Sequence, residues 1–177
     1  EADKERVAIW LVDTATGEQR QLTAGSATDS SPVWSPDGRY IAFTSTRHED
    51  KPQLFVIPVG GGEARQLTHL KQGVGGAAVW SPDGKTIAFS AVPIEEPRDT
   101  KKPYRVKRFV YRFNGMEYLD DVVQTLYVIP AEGGEARQVV FDDCMNSGPK
   151  WSPDGKSLLY SAMMLPDVDD PAMPRWR

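Results

Sequence analysis

The sequence predicts an all-β fold, a partial β-propeller built from four-stranded antiparallel blades. Three observations predict it. The pentapeptide WSPDG occurs three times, beginning at Trp34, Trp80 and Trp151. A second phrase, GEQRQLT ending at Thr23, returns as GEARQLT ending at Thr68. Four short strand-like runs fall within each interval of roughly 45 residues, which is the repeat length of a four-stranded propeller blade.

The order of elements is the same in each repeat: a strand ending in V-W-S, a turn, an I-A-F strand, an L-F-V-I strand and a final A-R-Q-L-T strand. The connection between the V-W-S strand and the I-A-F strand is predicted to be a tight hairpin turn. Pro36 presets φ, Asp37 bonds nearby backbone N–H groups, and Gly38 takes a left-handed conformation without steric cost.

Alternation along the second strand places Ile41 and Phe43 on one face and Ala42 and Thr44 on the other, so both faces are expected to be covered by neighbouring sheets. The WSPDG tryptophans are predicted to fill the gaps between stacked sheets. The polar A-R-Q-L-T run is predicted to be the outermost strand, because charge discourages edge-to-edge pairing. The residues assigned a structural role in the repeat are Trp34, Pro36, Asp37, Gly38, Trp80, Pro82, Asp83, Gly84, Trp151, Pro153, Asp154 and Gly155.

The repeat divides the chain into two complete blades and two half blades. Residues 1–25 form the outer two strands of one blade, 26–70 a complete blade, 71–143 a complete blade with an insertion at about 92–123, and 144–177 the inner two strands of another blade plus a tail. These amount to about three blades, whereas propellers close with about 4–8. The chain is therefore expected to be an arc of a longer protein. Its first residue, Glu1 rather than Met, suggests a mature product or an excised fragment.

The insertion departs from the repeat. The first complete blade reaches its third strand 20 residues after its tryptophan, whereas the next blade needs 46. The inserted text contains the strand-like run RVKRFVYRF followed by Asn114-Gly115, a strong hairpin signal. An extra hairpin is predicted here. Its basic and aromatic residues alternate as in a two-faced strand, which we favour over a nucleic-acid site.

Composition excludes several classes of function. The chain has 177 residues, 40% hydrophobic and 26% charged, and a net charge of −4, so neither nucleic acid nor a membrane is an expected partner. No apolar run approaches the ~20 residues of a membrane-spanning helix. A single cysteine rules out an internal disulfide and fits a reducing compartment.

No catalytic residue, cofactor or metal is predicted. The G-x-S-x-G turn that presents a nucleophilic serine is absent from the sequence. We interpret His48 and His69 as solvated loop residues and Cys144 as a small buried or half-buried residue. The run DVDDP, residues 167–171, lacks the spacing of a calcium loop and reads as an exposed linker.

The WSPDG blades resemble the repeats shared by TolB-like proteins and by serine peptidases of the prolyl oligopeptidase family. The stretch from Lys107 to Val139 resembles the acylaminoacyl-peptidase and dipeptidyl-peptidase-like branch, with a basic-aromatic strand, an Asn-Gly turn and a final strand in that order. Glu117 stands where a glycine is usual, and Val122-Val123 replace the usual arginines.

The peptidase resemblance implies a non-catalytic propeller that limits the access of substrates to a C-terminal α/β-hydrolase domain carrying a Ser-Asp-His triad. The implied partners are that domain, the remaining blades of the same chain and short peptides, and the 177-residue chain alone is expected to be inactive. Glu95 and Glu96 resemble the glutamate pair with which dipeptidyl peptidases hold a free amino terminus, although a solvated loop is the default interpretation of this pair.

The alternative is a TolB-like propeller whose disc binds a protein partner. The peptidase interpretation places the protein in the cytoplasm, and the TolB-like interpretation places it in the periplasm.

Overall fold

The computed structural model describes residues 6–48, 51–93, 124–142 and 144–164. Within these ranges the chain forms twelve strands and no helix. The prediction of an all-β fold, a partial propeller of four-stranded antiparallel blades, is confirmed. The strands are β1 (Trp10–Val12), β2 (Gln19–Gln21), β3 (Asp29–Trp34), β4 (Tyr40–Ser45), β5 (Gln53–Pro58), β6 (Arg65–Gln66), β7 (Val74–Trp80), β8 (Thr86–Ala91), β9 (Thr125–Pro130), β10 (Arg137–Gln138), β11 (Cys144–Trp151) and β12 (Leu158–Met164).

The strands form four antiparallel sheets in chain order. Sheet 1 consists of β1 and β2, sheet 2 of β3 to β6, sheet 3 of β7 to β10, and sheet 4 of β11 and β12. Each four-stranded sheet is a simple meander, in which every strand pairs with the next along the chain. The predicted inserted hairpin falls largely on residues 94–123, outside the described residues, and stays a prediction.

The inner strand of each WSPDG repeat carries a bulge. In β3, β7 and β11 the pairing register shifts before the tryptophan, and a residue within each shift has positive φ: Ser31 at 54°, Gly76 at 75° and Gly148 at 62°. Bulges bend a strand and increase its local twist. The three inner strands therefore bend at corresponding positions.

The core lies between the sheets, as the alternating pattern predicts. Ile41 and Phe43 pack with Ile9 in a cluster between sheets 1 and 2. Ala42 packs with Phe89 in a second cluster between sheets 2 and 3. Fully burying a side chain such as Phe43 contributes roughly 1.5–3 kcal/mol. Sheet 2 is thus covered on both faces, and the stacking of sheets stabilises it.

Sheet 4 packs against sheet 3, since β11 contacts β7, β8 and β9. The outermost strands β6 and β10 are only two residues long and lie at the sheet edges, as predicted from their polarity. Short, charged edge strands resist pairing with other chains. The sheets therefore grow by stacking rather than by adding strands on the outside.

Gly73 gives a test of the backbone geometry between sheets 2 and 3. It has φ of 75°, and a Cβ at this position would lie 2.7 Å from the carbonyl oxygen of Pro52. Gly38 has φ of 70° with no atom within 4 Å of the same site. We expect Gly38→Ala to lower the free energy of unfolding by about 1–2 kcal/mol through φ alone, and Gly73→Ala to lower it by more. Urea unfolding of both variants measures the difference, and equal losses would contradict the steric argument.

Candidate functional site

The three WSPDG turns have the same hydrogen bonds. The Ser35 hydroxyl donates to Asp37 Oδ1 over 2.6 Å and accepts the Tyr40 N–H over 2.9 Å, while the same carboxylate oxygen accepts the Arg39 N–H over 3.0 Å. The turns at Ser81 and Ser152 repeat this pattern to within 0.1 Å. The repeat therefore places rigid polar turns at corresponding ends of three sheets.

These hydrogen bonds change the acidity of the aspartates. The pKa of Asp37 is lowered from its ordinary value, chiefly because the Ser35 hydroxyl donates to the carboxylate and secondarily because the Arg39 N–H does. The pKa values of Asp83 and Asp154 are lowered for the same reasons. All three side chains therefore stay ionised at mildly acid pH.

The lowered pKa values predict an acid-sensitive part of the stability. A carboxyl whose folded-state pKa lies below its unfolded value stabilises the fold above the unfolded pKa and loses this effect as pH falls through the folded pKa. We expect the urea midpoint to fall steeply below about pH 4. The triple variant Asp37→Asn, Asp83→Asn, Asp154→Asn should show a shallower fall over the same range. Parallel pH profiles would contradict the prediction.

Two of the repeated tryptophans join neighbouring sheets. The indole N–H of Trp80 donates to the carbonyl of Val33 over 3.3 Å, and that of Trp151 donates to the carbonyl of Val79 over 3.3 Å. Each acceptor is the residue before the tryptophan of the preceding sheet. Trp34 differs from the prediction, because its side chain is 49% exposed. The preceding sheet in the described residues, sheet 1, has only outer strands and offers Trp34 no inner-strand carbonyl.

A second cross-sheet contact was missed by the sequence interpretation. The guanidinium of Arg20 in sheet 1 donates to the carbonyl of Val59 in sheet 2. The guanidinium of Arg65 in sheet 2 donates to the carbonyls of Ala131, over 2.9 Å, and Glu132 in sheet 3. We call Arg20 and Arg65 the cross-sheet arginines. The arginine repeated within A-R-Q-L-T is the sequence signal for these contacts, but polarity alone predicts only an edge strand.

A groove of about 370 Å³ separates sheets 2 and 3 on the side of the turns. Its lining combines the aromatic rings of Tyr40 and Trp80 with the acidic residues Asp37, Asp83 and Glu132. Arg65 crosses it. The groove thus offers apolar contact and hydrogen-bond acceptors, the mixture of groups that holds a peptide or a small ligand.

A buried ion pair lies at the other end of sheet 2. The guanidinium of Arg47 donates to both carboxylate oxygens of Asp29 over 3.0 Å, and Asp29 is 2% exposed. The same guanidinium lies 5.1 Å from the ring centre of Phe43 and 5.0 Å from that of Phe55. One guanidinium nitrogen, Nη2, makes both hydrogen bonds to Asp29, while Nε donates to the Ser45 hydroxyl over 3.0 Å. This arrangement combines a salt bridge with cation–π contacts, so it rigidifies the strand ends.

Of the candidate site residues named from the sequence, the two histidines and the cysteine lie within the described residues. The exposed His48 ring lies 5.7 Å from that of Phe55, and the Nδ1 atom of His69 lies 3.2 Å from the Gln66 side-chain nitrogen. Cys144 is half-buried at the start of β11. The substrate-binding candidates Glu95 and Glu96 lie outside the described residues.

The described part of the chain contains neither a cluster of potential metal ligands nor a membrane-spanning helix. Residues 6–48, 51–93, 124–142 and 144–164 contain no group of three or more His, Cys, Asp or Glu side chains placed to hold a metal ion. The same ranges contain no helix long and apolar enough to cross a membrane.

Radially stacked four-stranded sheets with repeated turns define the class of the protein: it is a β-propeller. The family model of the Tricorn protease N-terminal beta propeller domain matches residues 6–120, and the chain belongs to this family. The predicted resemblance to the propeller of a peptidase, with TolB-like propellers as second choice, is confirmed.

Individual proteins agree with the family. The chain is 33% identical over 182 residues to the uncharacterized peptidase YuxL of Bacillus subtilis (strain 168), a match covering 98% of the chain and 28% of YuxL. The Pyrococcus horikoshii acylaminoacyl peptidase superimposes with a TM-score of 0.63 at 20% identity, over 86% of this chain and 23% of that one. TolB from Acinetobacter baumannii superimposes with a TM-score of 0.63 at 21% identity, over 91% of this chain and 33% of that one. The chain thus spans about a quarter of YuxL, and the two structures show a shared fold.

Proposed function

We propose that the chain is the non-catalytic propeller portion of a serine peptidase that acts on short peptides. Its role is to limit the access of substrates to a catalytic α/β-hydrolase domain carried by the same polypeptide. The single observation that carries the proposal is the alignment of 98% of the chain with a peptidase more than three times its length. A match over part of a peptidase fits a domain that accompanies the catalytic one.

The geometry supports a filter rather than a reaction centre. The repeated residues are used in turns and cross-sheet hydrogen bonds, as the Ser35–Asp37 and Trp80–Val33 contacts illustrate. Stacked sheets joined in this way form a stiff disc segment, and stiffness is what a size filter needs. The single cysteine fits a reducing compartment, so we include a cytoplasmic location in the proposal.

The test compares the 177-residue chain with the product of the complete gene that encodes it. The complete product is expected to hydrolyse short blocked or free peptides and to cleave them less well as their length increases, whereas the 177-residue chain hydrolyses none. Arg65→Ala in the complete product removes a contact between sheets 2 and 3. It is expected to loosen the disc and raise the relative rate on long peptides.

The matched control is Arg39→Ala, because Arg39 is exposed and, among the described residues, its side chain forms an ion pair only with Asp37 of its own turn, over 3.9 Å. This variant should keep the length profile of the unaltered protein. The proposal fails if the complete product lacks peptidase activity, if the 177-residue chain cleaves peptides, or if Arg65→Ala lowers the melting temperature without changing the length profile.

A further inference from the structure

The groove on the turn side of sheets 2 and 3 is formed by two complete blades. Its volume of about 370 Å³ is at the small end of ligand pockets. Every lining residue belongs to sheet 2, to sheet 3 or to a turn of one of them, and both sheets have all four strands. The shape of the groove therefore follows from the packing of these two sheets against each other.

Most lining residues of the groove recur in the other repeats. The prolines and aspartates of two WSPDG turns line it, together with Trp80 and the cross-sheet arginine Arg65. Their recurring roles are structural, since they form the turn hydrogen bonds and the contacts between sheets. Recurring residues of this kind do not distinguish one groove from another.

Two lining residues depart from the repeat, and they come from opposite sides of the groove. Tyr40 of sheet 2 follows the first WSPDG turn, where the other two repeats have Thr86 and Ser157. Glu132 of sheet 3 lies in the turn after β9, where the corresponding residue after β5 is Gly60. This groove therefore carries an aromatic ring and a carboxylate that the repeat does not require.

The groove is acidic although an arginine crosses it. Asp37, Asp83 and Glu132 contribute three carboxylates against the one guanidinium of Arg65, which leaves a net charge of −2. The turn hydrogen bonds lower the pKa of both aspartates, so these two carboxyls are ionised at neutral pH. Both terminal nitrogens of Arg65 donate to the backbone carbonyls of Ala131 and Glu132. The lining thus has an excess of negative charge, which favours a cationic ligand.

The carboxylates of the groove do not converge on one point. Across the described ranges, no three acidic, histidine or cysteine side chains are placed to hold a metal ion. Asp83 uses Oδ1 for both of its turn hydrogen bonds, which leaves Oδ2 as an acceptor. Separate acceptors beside aromatic rings suit a guanidinium, because it is planar, has five N–H donors and stacks on aromatic faces.

We propose that this groove binds the side chain of an arginine in a peptide. The guanidinium stacks on the ring of Tyr40 and donates to the carboxylates of Glu132 and Asp83, while the methylene stem packs against Trp80 and the turn prolines. The two residues that depart from the repeat supply the selective contacts, and the recurring residues supply the walls. This binding needs no catalytic domain, so its test is separate from that of the size filter.

Isothermal titration calorimetry of the 177-residue chain with the blocked peptide acetyl-Ala-Arg-Ala-amide tests the proposal. The matched probe has citrulline in place of arginine, because citrulline keeps the shape of the side chain and lacks its charge. We expect the arginine peptide to bind at least about tenfold more tightly. Equal affinity for the two peptides, or no binding of the arginine peptide at millimolar concentration, would overturn the proposal.

Two variants assign the binding to this groove. Tyr40→Thr introduces the residue that sheet 3 has at the equivalent position, and Glu132→Gln removes the carboxylate that the repeat does not require. Each is expected to weaken the binding of the arginine peptide at least about threefold, and the double variant should lose the preference over citrulline. The control is Glu63→Gln, because Glu63 is an exposed carboxylate of the corresponding turn in sheet 2 and does not line the groove.

The variants are expected to fold, since Tyr40 is 41% exposed and Glu132 is exposed as well. Circular dichroism checks that each keeps its strands, and either single variant is sufficient for the test. The control should bind both peptides as the unaltered chain does. An undiminished preference for arginine in the folded variants, or an equal loss of binding in Glu63→Gln, contradicts the assignment to this groove.

Discussion

Replacement of Arg47 by Met is expected to lower the free energy of unfolding by about 3–5 kcal/mol, among the largest effects of any single substitution in the chain. The carboxylate of Asp29 is buried, and its two oxygens accept the hydrogen bonds from the Arg47 guanidinium. Removal of the guanidinium leaves this charge buried without its partner. Methionine keeps much of the contact with Phe43 and Phe55, so the loss reports mainly on the ion pair. Urea unfolding measures it.

The double variant Asp29→Val, Arg47→Met is the control for this prediction. The equivalents of Asp29 and Arg47 in sheet 3 are Val74 and Pro93, which shows that a blade of this protein folds without the pair. Replacement of both partners by apolar groups is often neutral or stabilising. We expect the double variant to recover most of the lost stability. A loss equal to or greater than that of Arg47→Met alone would show that the cation–π contacts, not the ion pair, stabilise this end of sheet 2.

Repetition explains how much of the fold and site could be predicted. The WSPDG turns were predicted in detail, because Pro36, Asp37 and Gly38 act through local backbone chemistry that three copies reinforce. The Asp29–Arg47 pair was missed, since its members are 18 residues apart and sheet 2 alone among the described sheets contains the pair. No pattern in a single sequence indicates such a pair before the register of β3 and β4 is known.

The cross-sheet contacts could be predicted from the sequence only in part. Arg65 is repeated in the sequence, but its acceptors are backbone carbonyls of sheet 3, which carry no sequence signal. The repeated threonine of the same phrase is similar: Thr23 and Thr68 accept the backbone N–H groups of Ile9 and Leu54 over 3.0 and 2.9 Å. The sequence indicates that these residues matter, and only the stacking geometry shows what they contact.

The repeated tryptophans Trp34 and Trp80 differ in how deeply they are buried, and this predicts a large difference in stability between their alanine variants. Trp80→Ala is expected to lower the free energy of unfolding by about 3 kcal/mol, at the low end for buried tryptophans because the ring is half-buried. The substitution removes apolar contact with the cluster between sheets 2 and 3 and the hydrogen bond to Val33. Trp34→Ala is expected to cost less than about 1 kcal/mol, because that ring is 49% exposed.

Urea unfolding of both tryptophan variants measures this difference. Trp80→Phe separates the two causes: it keeps an aromatic ring in the cluster and removes the indole donor, so a loss of about 1 kcal/mol is expected from the hydrogen bond. If Trp34→Ala proves as costly as Trp80→Ala, then the position of the ring relative to the preceding sheet does not govern its contribution. The blades would then be stabilised within each sheet, and the cross-sheet bond to Val33 would be incidental.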